Sequence, residues 1–179
     1  FAEVMVYYHI NKLNKYLQER VGLKTAAEPL QAITNFMFKI ENFGRQFCGR
    51  PDDWCPFDNA AFIPKQSVAQ LEQQLGGAKT GITGDALLFF QGNNIDFTYD
   101  SPVIRHEYTH ALVGISRLNG NFPDDQGLNN TATAVNEAYA DYFAATTDND
   151  PKIGSYAIGS LNPAQVRDLS KLRTCPEDL

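Results

Sequence analysis

The chain has 179 residues, 43% of them hydrophobic, enough to bury a sizeable core within one domain. Its 15 basic and 21 acidic residues give a formal charge of −6, which argues against a nucleic-acid partner and against electrostatic attachment to a membrane surface. No apolar run exceeds the length of Ala86–Phe90, far too short to span a bilayer.

Residues Phe1, Met5, Tyr8, Leu13, Tyr16 and Leu17 recur at helical spacing and predict a first helix with that side inward. The chain starts inside this pattern without an initiator Met or a leader pattern. The expectation is therefore one domain over 1–179, a processed or trimmed piece of a longer protein. His9 lies on this helix beside Tyr7 and Tyr8, far from the other histidines, and reads as a structural or surface side chain. Cys48 and Cys55 flank a Gly/Pro/Asp-rich loop and can close a small disulfide, which implies an oxidising, secreted or extracellular setting. Cys175 is left over, either as a lone buried thiol or with a partner beyond Leu179.

Asp58-Asn59-Ala60-Ala61-Phe62 reads as an Asn turn leading into an apolar strand. Ser67 is placed to cap a short helix carrying Val68, Leu71 and Leu75, stopped by Gly76-Gly77. Gly81 to Gly84 is loop, and Ala86 to Phe90 is a buried strand running into a turn at Gln91-Gly92. Ser101 as N-cap and Pro102 at the first helical position open the next helix, which Asn119-Gly120 should end.

Within that helix stands His106-Glu107-Tyr108-Thr109-His110. Positions i and i+4 lie one above the other on a helix, so two imidazoles can reach one metal ion at about 2.0–2.1 Å. The carboxylate of Glu107, beside them, is placed to take a proton from water at the metal. A catalytic zinc takes a third protein ligand and leaves its fourth position open. Past the polar loop Asn119 to Asn130, a second helix starts near Thr131, with Ala132, Val135, Ala138, Tyr139, Tyr142 and Phe143 as its apolar side. Glu137 and Asp141 are an i, i+4 acid pair among these residues. A solvated acidic edge fits such surroundings poorly, since burying unpaired carboxylates is costly. Glu137 as third ligand, with Asp141 accepting the other ring N–H of His106, explains both acids.

These two segments, HEYTHALV and NEAYADYFAAT, resemble the gluzincin metallopeptidases of the thermolysin-like and fungalysin-like groups. The resemblance implies His106, His110 and Glu137 as zinc ligands, Glu107 as general base, and Asp141 and Asn136 as the residues holding the two histidines. It implies that Asn59 and Ala60, on an edge strand, bind the substrate backbone, and that Val103, with Phe97, lines a pocket for a bulky apolar residue. The implied fold is α+β: a small, mostly antiparallel sheet, the motif helix beneath its edge strand, and the acid-bearing helix alongside. The gap from His110 to Glu137 is 137 − 110 = 27 residues, somewhat long for thermolysin itself, an excess assigned to a loop insertion around Gly120 to Gly127. A metzincin would need a ligand six residues after His110, where Ser116 stands.

The expected activity is zinc-dependent endopeptidase hydrolysis of a peptide or protein substrate. The chain departs from the family at two oxyanion donors. The position of the family's tyrosine falls near Leu128, and no histidine follows His110. The alternative is therefore a zinc-binding non-catalytic module or an inactive truncated peptidase domain, its missing part carried by a C-terminal segment or a second chain. Three motifs lie outside this reading. Asn129-Asn130-Thr131 is a formal N-glycosylation acceptor, Asp148-Asn149-Asp150 could hold calcium, and Asn162-Pro163 should open a final helix with Val166, Leu169 and Leu172 inward.

Overall fold

A computed structural model describes residues 1–23, 29–39, 48, 50, 54–75, 77, 79–114, 118, 122–125 and 127–171. The chain is mixed α+β. Its main sheet has three strands, β1 (Gln31–Phe36), β4 (Ala60–Ile63) and β5 (Ala86–Phe90), with β5 in the middle. β4 runs antiparallel to β5, placing Ala60 opposite Phe89 and Phe62 opposite Leu87. β1 runs parallel to it, with Gln31 opposite Ala86. The expected mostly antiparallel sheet is thus a mixed one, because the long connection from β1 to β5 has room to cross over. Further antiparallel pairing lies in short ribbons: β2 (Phe38–Lys39) with β3 (Trp54–Cys55), β6 (Phe122–Asp124) with β7 (Gly127–Asn129), and β8 (Lys152–Ile153) with β9 (Arg167–Asp168).

Every residue of β5 is buried, as its unbroken apolar run requires of a strand covered on both faces. Leu87 and Phe89 face one core with Ala60 and Phe62 of β4, while Ala86, Leu88 and Phe90 face a second. The first core is covered by α1 (Ala2–Tyr16) and α3 (Ser101–Val113). The second is covered in part by α2 (Val68–Gln74), through Val68 and Leu71. Burying side chains of this size contributes about 1.5–3 kcal/mol each. Ser67 occupies the N-cap position of α2, but its hydroxyl makes no cap hydrogen bond.

Helix α1 presents Val6, His9 and Leu13 inward, followed by Leu17 on the π-turn that extends it. Phe1 and Tyr8, expected inside, are 83% and 57% exposed. Met5 and Tyr16 are partly buried at the edge of the first core. The inward stripe is rotated because His9 takes a core position. Helix α3 is capped by Asp100 rather than Ser101: Asp100 Oδ1 accepts from the Val103 amide at 3.3 Å. Asp100 Oδ2 also accepts from Tyr156 N at 3.1 Å and Ala157 N at 2.8 Å, tying α3 to the start of α5 (Ala157–Leu161). Helix α3 ends at Val113, where Gly114 takes φ +71°, a left-handed angle costly for any residue with a side chain. The expected stop at Asn119-Gly120 lies outside the described residues, as do Gly76 and Cys175.

Helix α4 (Thr131–Asp148) packs along α3, and its buried side differs from the one read from the sequence. Val135, Tyr139 and Tyr142 are 37%, 46% and 57% exposed, while Asn136, Ala140, Asp141 and Ala144 face inward. The polar side turns in because it meets the histidines of α3. Arg105, fully buried, donates to Ala144 O at 3.0 Å and pairs with Asp148 Oδ2. Asp148 Oδ1 accepts from Lys12 Nζ at 2.5 Å, so both of its oxygens are engaged by cations. Asp150 Oδ1 accepts from the Lys152 amide at 3.0 Å, and Asn149 ends the helix at φ +55°. The 148–150 stretch forms a helix stop, and among the described residues it is not one of the groups that could hold a metal ion.

Asn162 Oδ1 accepts from Ala164 N at 3.1 Å, but the segment it opens is one 3-10 turn, Pro163–Gln165. The expected final helix is replaced by β9, and Leu169 is 46% exposed. Pairing with β8 holds this segment extended and carries Arg167 to Asp141.

Candidate metal centre

The i, i+4 spacing on α3 sets the Nε2 atoms of His106 and His110 3.0 Å apart. Glu137, from α4, closes the group: its Oε2 lies 3.2 Å from His106 Nε2 and its Oε1 3.5 Å from His110 Nε2. The three side chains have ligand atoms within 4.8 Å of one another and can hold a metal ion. Both imidazoles are buried, whereas the Glu137 side chain is 53% exposed on the cleft side.

The far nitrogens fix the rings. His106 Nδ1 lies 2.8 Å from Asp141 Oδ1, and His110 Nδ1 lies 2.9 Å from Asn136 Oδ1. With both Nδ1–H groups donating there, two Nε2 lone pairs and a carboxylate converge with no donor among them. A cation satisfies that set, and the donor chemistry of two imidazoles and one carboxylate suits a divalent metal such as zinc. A proton does the same in the metal-free protein. Burial works against charge on His106, yet hydrogen bonds to Asp141 and Glu137 and the nearby Glu107 hold its pKa up at about 9. The hydrogen bond from His106 keeps the Glu137 carboxyl below its ordinary range despite partial burial.

Asp141 is itself gripped. Arg167 donates to its two oxygens in a forked pair, Nε to Oδ2 and Nη2 to Oδ1, each at 2.7 Å. Burial alone would raise the Asp141 pKa, but hydrogen bonds from His106 and Arg167 lower it. The sequence reading missed Arg167. Its neighbour Val166 was noted only as part of a helix, and an arginine reaching back 26 residues leaves no periodic mark.

Glu107 lies beside the ligands with its carboxylate buried. Burial raises its pKa, opposed by the charges of His106 and His110 and by the amide of Phe62, which donates to Oε2 at 2.9 Å. That amide belongs to β4, the edge strand, so the strand and the carboxylate form adjoining walls of one cavity of about 580 Å³. Asn59, Ala60, Val103 and Phe97 all line this cavity, together with Ile158 and Leu161 of α5. Asn59 Oδ1 accepts from the Ala60 amide at 2.9 Å, so the Asn turn is present as well. His9 is buried in the core, 8% exposed, and Cys48 and Cys55 are joined in a disulfide. No helix among the described residues is long and apolar enough to cross a membrane.

No protein-family model, curated protein or solved structure matches the chain.

Proposed function

We propose that the chain is the zinc-bearing part of a secreted endopeptidase of gluzincin type, hydrolysing peptide bonds with Glu107 as general base. The observation that carries this reading is the convergence of His106, His110 and Glu137 within 4.8 Å on the wall of an open cleft. A structural zinc would usually close its coordination with a fourth residue and has no use for a neighbouring base. Among the described residues no fourth ligand joins the group, and Glu107 is buried beside it.

Zinc bound there supplies a Lewis acid that acidifies water and polarises a carbonyl. The remaining work belongs to the protein. Glu107, oriented by the Phe62 amide and raised in pKa by burial, takes the proton of the attacking water and returns it to the leaving amine. Asp141 and Asn136 hold the imidazoles in the tautomer that turns Nε2 inward. Asn59, just before β4, and Ala60, at its start, would hold the backbone of an extended peptide along this edge. Val103, Phe97, Ile158 and Leu161, all in the cavity lining, would receive the bulky apolar residue beside the cleaved bond. The Cys48–Cys55 disulfide supports an extracellular setting.

One observation favours a second reading, a zinc module without turnover. Leu128 is 72% exposed and supplies no hydrogen-bond donor where the family places its tyrosine. Loss of one oxyanion donor costs about 10²–10³ in rate. A further segment or second chain could supply it. The test is metal analysis of the purified chain, followed by turnover of a quenched peptide with Glu107→Gln as control. Zinc with turnover lost in Glu107→Gln supports the endopeptidase. Zinc without turnover in either protein moves the chain to the second reading, and a metal-free chain ends both.

A further inference from the structure

The sequence contains one Asn-x-Ser/Thr triplet, Asn129-Asn130-Thr131, with no proline within it or directly after it. The triplet alone is a weak pattern, but its placement here is specific. Asn129 ends β7, in the ribbon in which it pairs with Phe122, and Thr131 is the first residue of α4. Asn129, Asn130 and Thr131 are all exposed, as are Gly127 and Leu128 before them. A bulky group attached there meets solvent rather than packed side chains. The Thr131 amide donates to Asn129 Oδ1 at 2.8 Å, so the side-chain amide is folded into an Asx turn beside the residue whose hydroxyl the acceptor pattern demands. The Cys48–Cys55 disulfide is an independent sign of passage through an oxidising compartment, where N-linked transfer takes place.

We propose that Asn129 is an acceptor of an N-linked oligosaccharide. In the transfer, Asn129 Nδ2 bonds to the anomeric carbon of a lipid-pyrophosphate-linked oligosaccharide. The bond from that carbon to the pyrophosphate oxygen breaks, the lipid pyrophosphate leaves with the electron pair, and the amide gives up one proton. The attachment point lies six residues of helix, roughly 9 Å at the rise of an α-helix, plus the ribbon end, from Glu137. Thr133, between them, lines the cleft, so the oligosaccharide stands beside the cavity mouth. The inference shares with the preceding section only the oxidising route, and needs neither zinc nor hydrolysis.

The test is to secrete the full 179-residue chain from a eukaryotic host and compare intact masses before and after peptide N-glycosidase. Wild type and Thr131→Ser should lose one oligosaccharide mass, with Asn129 converted to Asp on peptide mapping. Asn129→Gln and Thr131→Ala should show no shift. Translation into microsomes reads the same transfer on the nascent chain, so a variant that folds poorly is still scored. A translocated wild-type chain without a glycosidase-sensitive shift overturns the proposal, as does a shift that persists in Asn129→Gln. Either result leaves the metal centre untouched.

Discussion

The backbone amide of Phe62 donates to the Glu107 carboxylate at 2.9 Å, joining the edge strand of the sheet to the residue beside the paired histidines. Strand β4 is therefore more than a wall of the cleft. It fixes which Glu107 oxygen is held and which is left to face the cavity. Because the acceptor is a side-chain oxygen, glutamine preserves the contact while losing the basicity.

Glu107→Gln should therefore keep the fold and the metal but lose hydrolysis by about 10²–10⁴, the range of a general base. Zinc content and thermal midpoint should match wild type, with kcat reduced at unchanged KM. Equal kcat in the two proteins would remove Glu107 from the mechanism. Loss of zinc would mean that the charge of Glu107, rather than its contact with Phe62, holds the ligand group together.

The forked Arg167–Asp141 pair makes a graded prediction for metal retention. Asp141→Ala removes the partner of His106 Nδ1 and should weaken zinc by about 10–100-fold in a chelator competition. Arg167→Ala leaves Asp141 in place without its fork and should have a smaller effect in the same direction. Arg167→Lys, a point charge that cannot make both 2.7 Å contacts, should fall between Arg167→Ala and wild type. Wild-type affinity in both Arg167 variants would show that Asp141 needs no outside support, and wild-type affinity in Asp141→Ala would show that His106 does not depend on Asp141.

The same site shows how far the sequence could be read. His106 and His110 were legible because helical periodicity alone sets their common face, and Glu137 because a ligand explains an acid in that place. The surroundings of Glu137 were misjudged. Val135, Tyr139 and Tyr142 are exposed, and the buried side of α4 carries Asn136 and Asp141. Hydrophobic periodicity names an inward face only where the neighbour is apolar, and here it is a pair of imidazoles. Strand β5 was legible from its unbroken apolar run, whereas its parallel partner β1 was not. A run such as Gln31–Phe36 with mixed burial carries no clear period. Arg167 reaches Asp141, and Asp100 the amides of Tyr156 and Ala157, across long sequence separations that a local pattern does not encode.

His9 predicts a pH dependence of stability away from the metal centre. Burial first, then the charge of Arg105, whose Nη2 lies 3.5 Å from His9 Nδ1, lowers its pKa to about 4, with Asp148 opposing and Lys12 assisting. Unfolded histidine takes up its proton near pH 6.5. Between about pH 6.5 and 4 the unfolded chain therefore binds more protons than the native one, and stability falls as the pH drops through that window. Above pH 6.5 His9 contributes no slope. Thermal midpoints of the metal-free protein from pH 7.5 to 4.5 should decline more steeply for wild type than for His9→Gln. Parallel curves would show that His9 titrates normally.

Asp100 is a buried acid whose structural role is testable. It is 2% exposed, and it serves both the first turn of α3 and the amides of Tyr156 and Ala157. Asp100→Ala deletes a cap worth about 1 kcal/mol and orphans amides at a further cost of about 1–3 kcal/mol. The expected loss is about 2–4 kcal/mol in urea unfolding. For a domain of this size that corresponds to a fall in midpoint of roughly 5–15 °C. Serine in this position separates the two contributions. It caps a helix well, but its single hydroxyl cannot also span to Tyr156 and Ala157. Asp100→Ser should therefore recover only the cap, about 1 kcal/mol, and leave α5 loosened. Because Ile158 and Leu161 on α5 line the cleft, the serine variant should bind peptides more weakly while keeping its zinc. Full recovery of stability by serine would place the whole effect in the α3 cap and leave the α5 amides without a share.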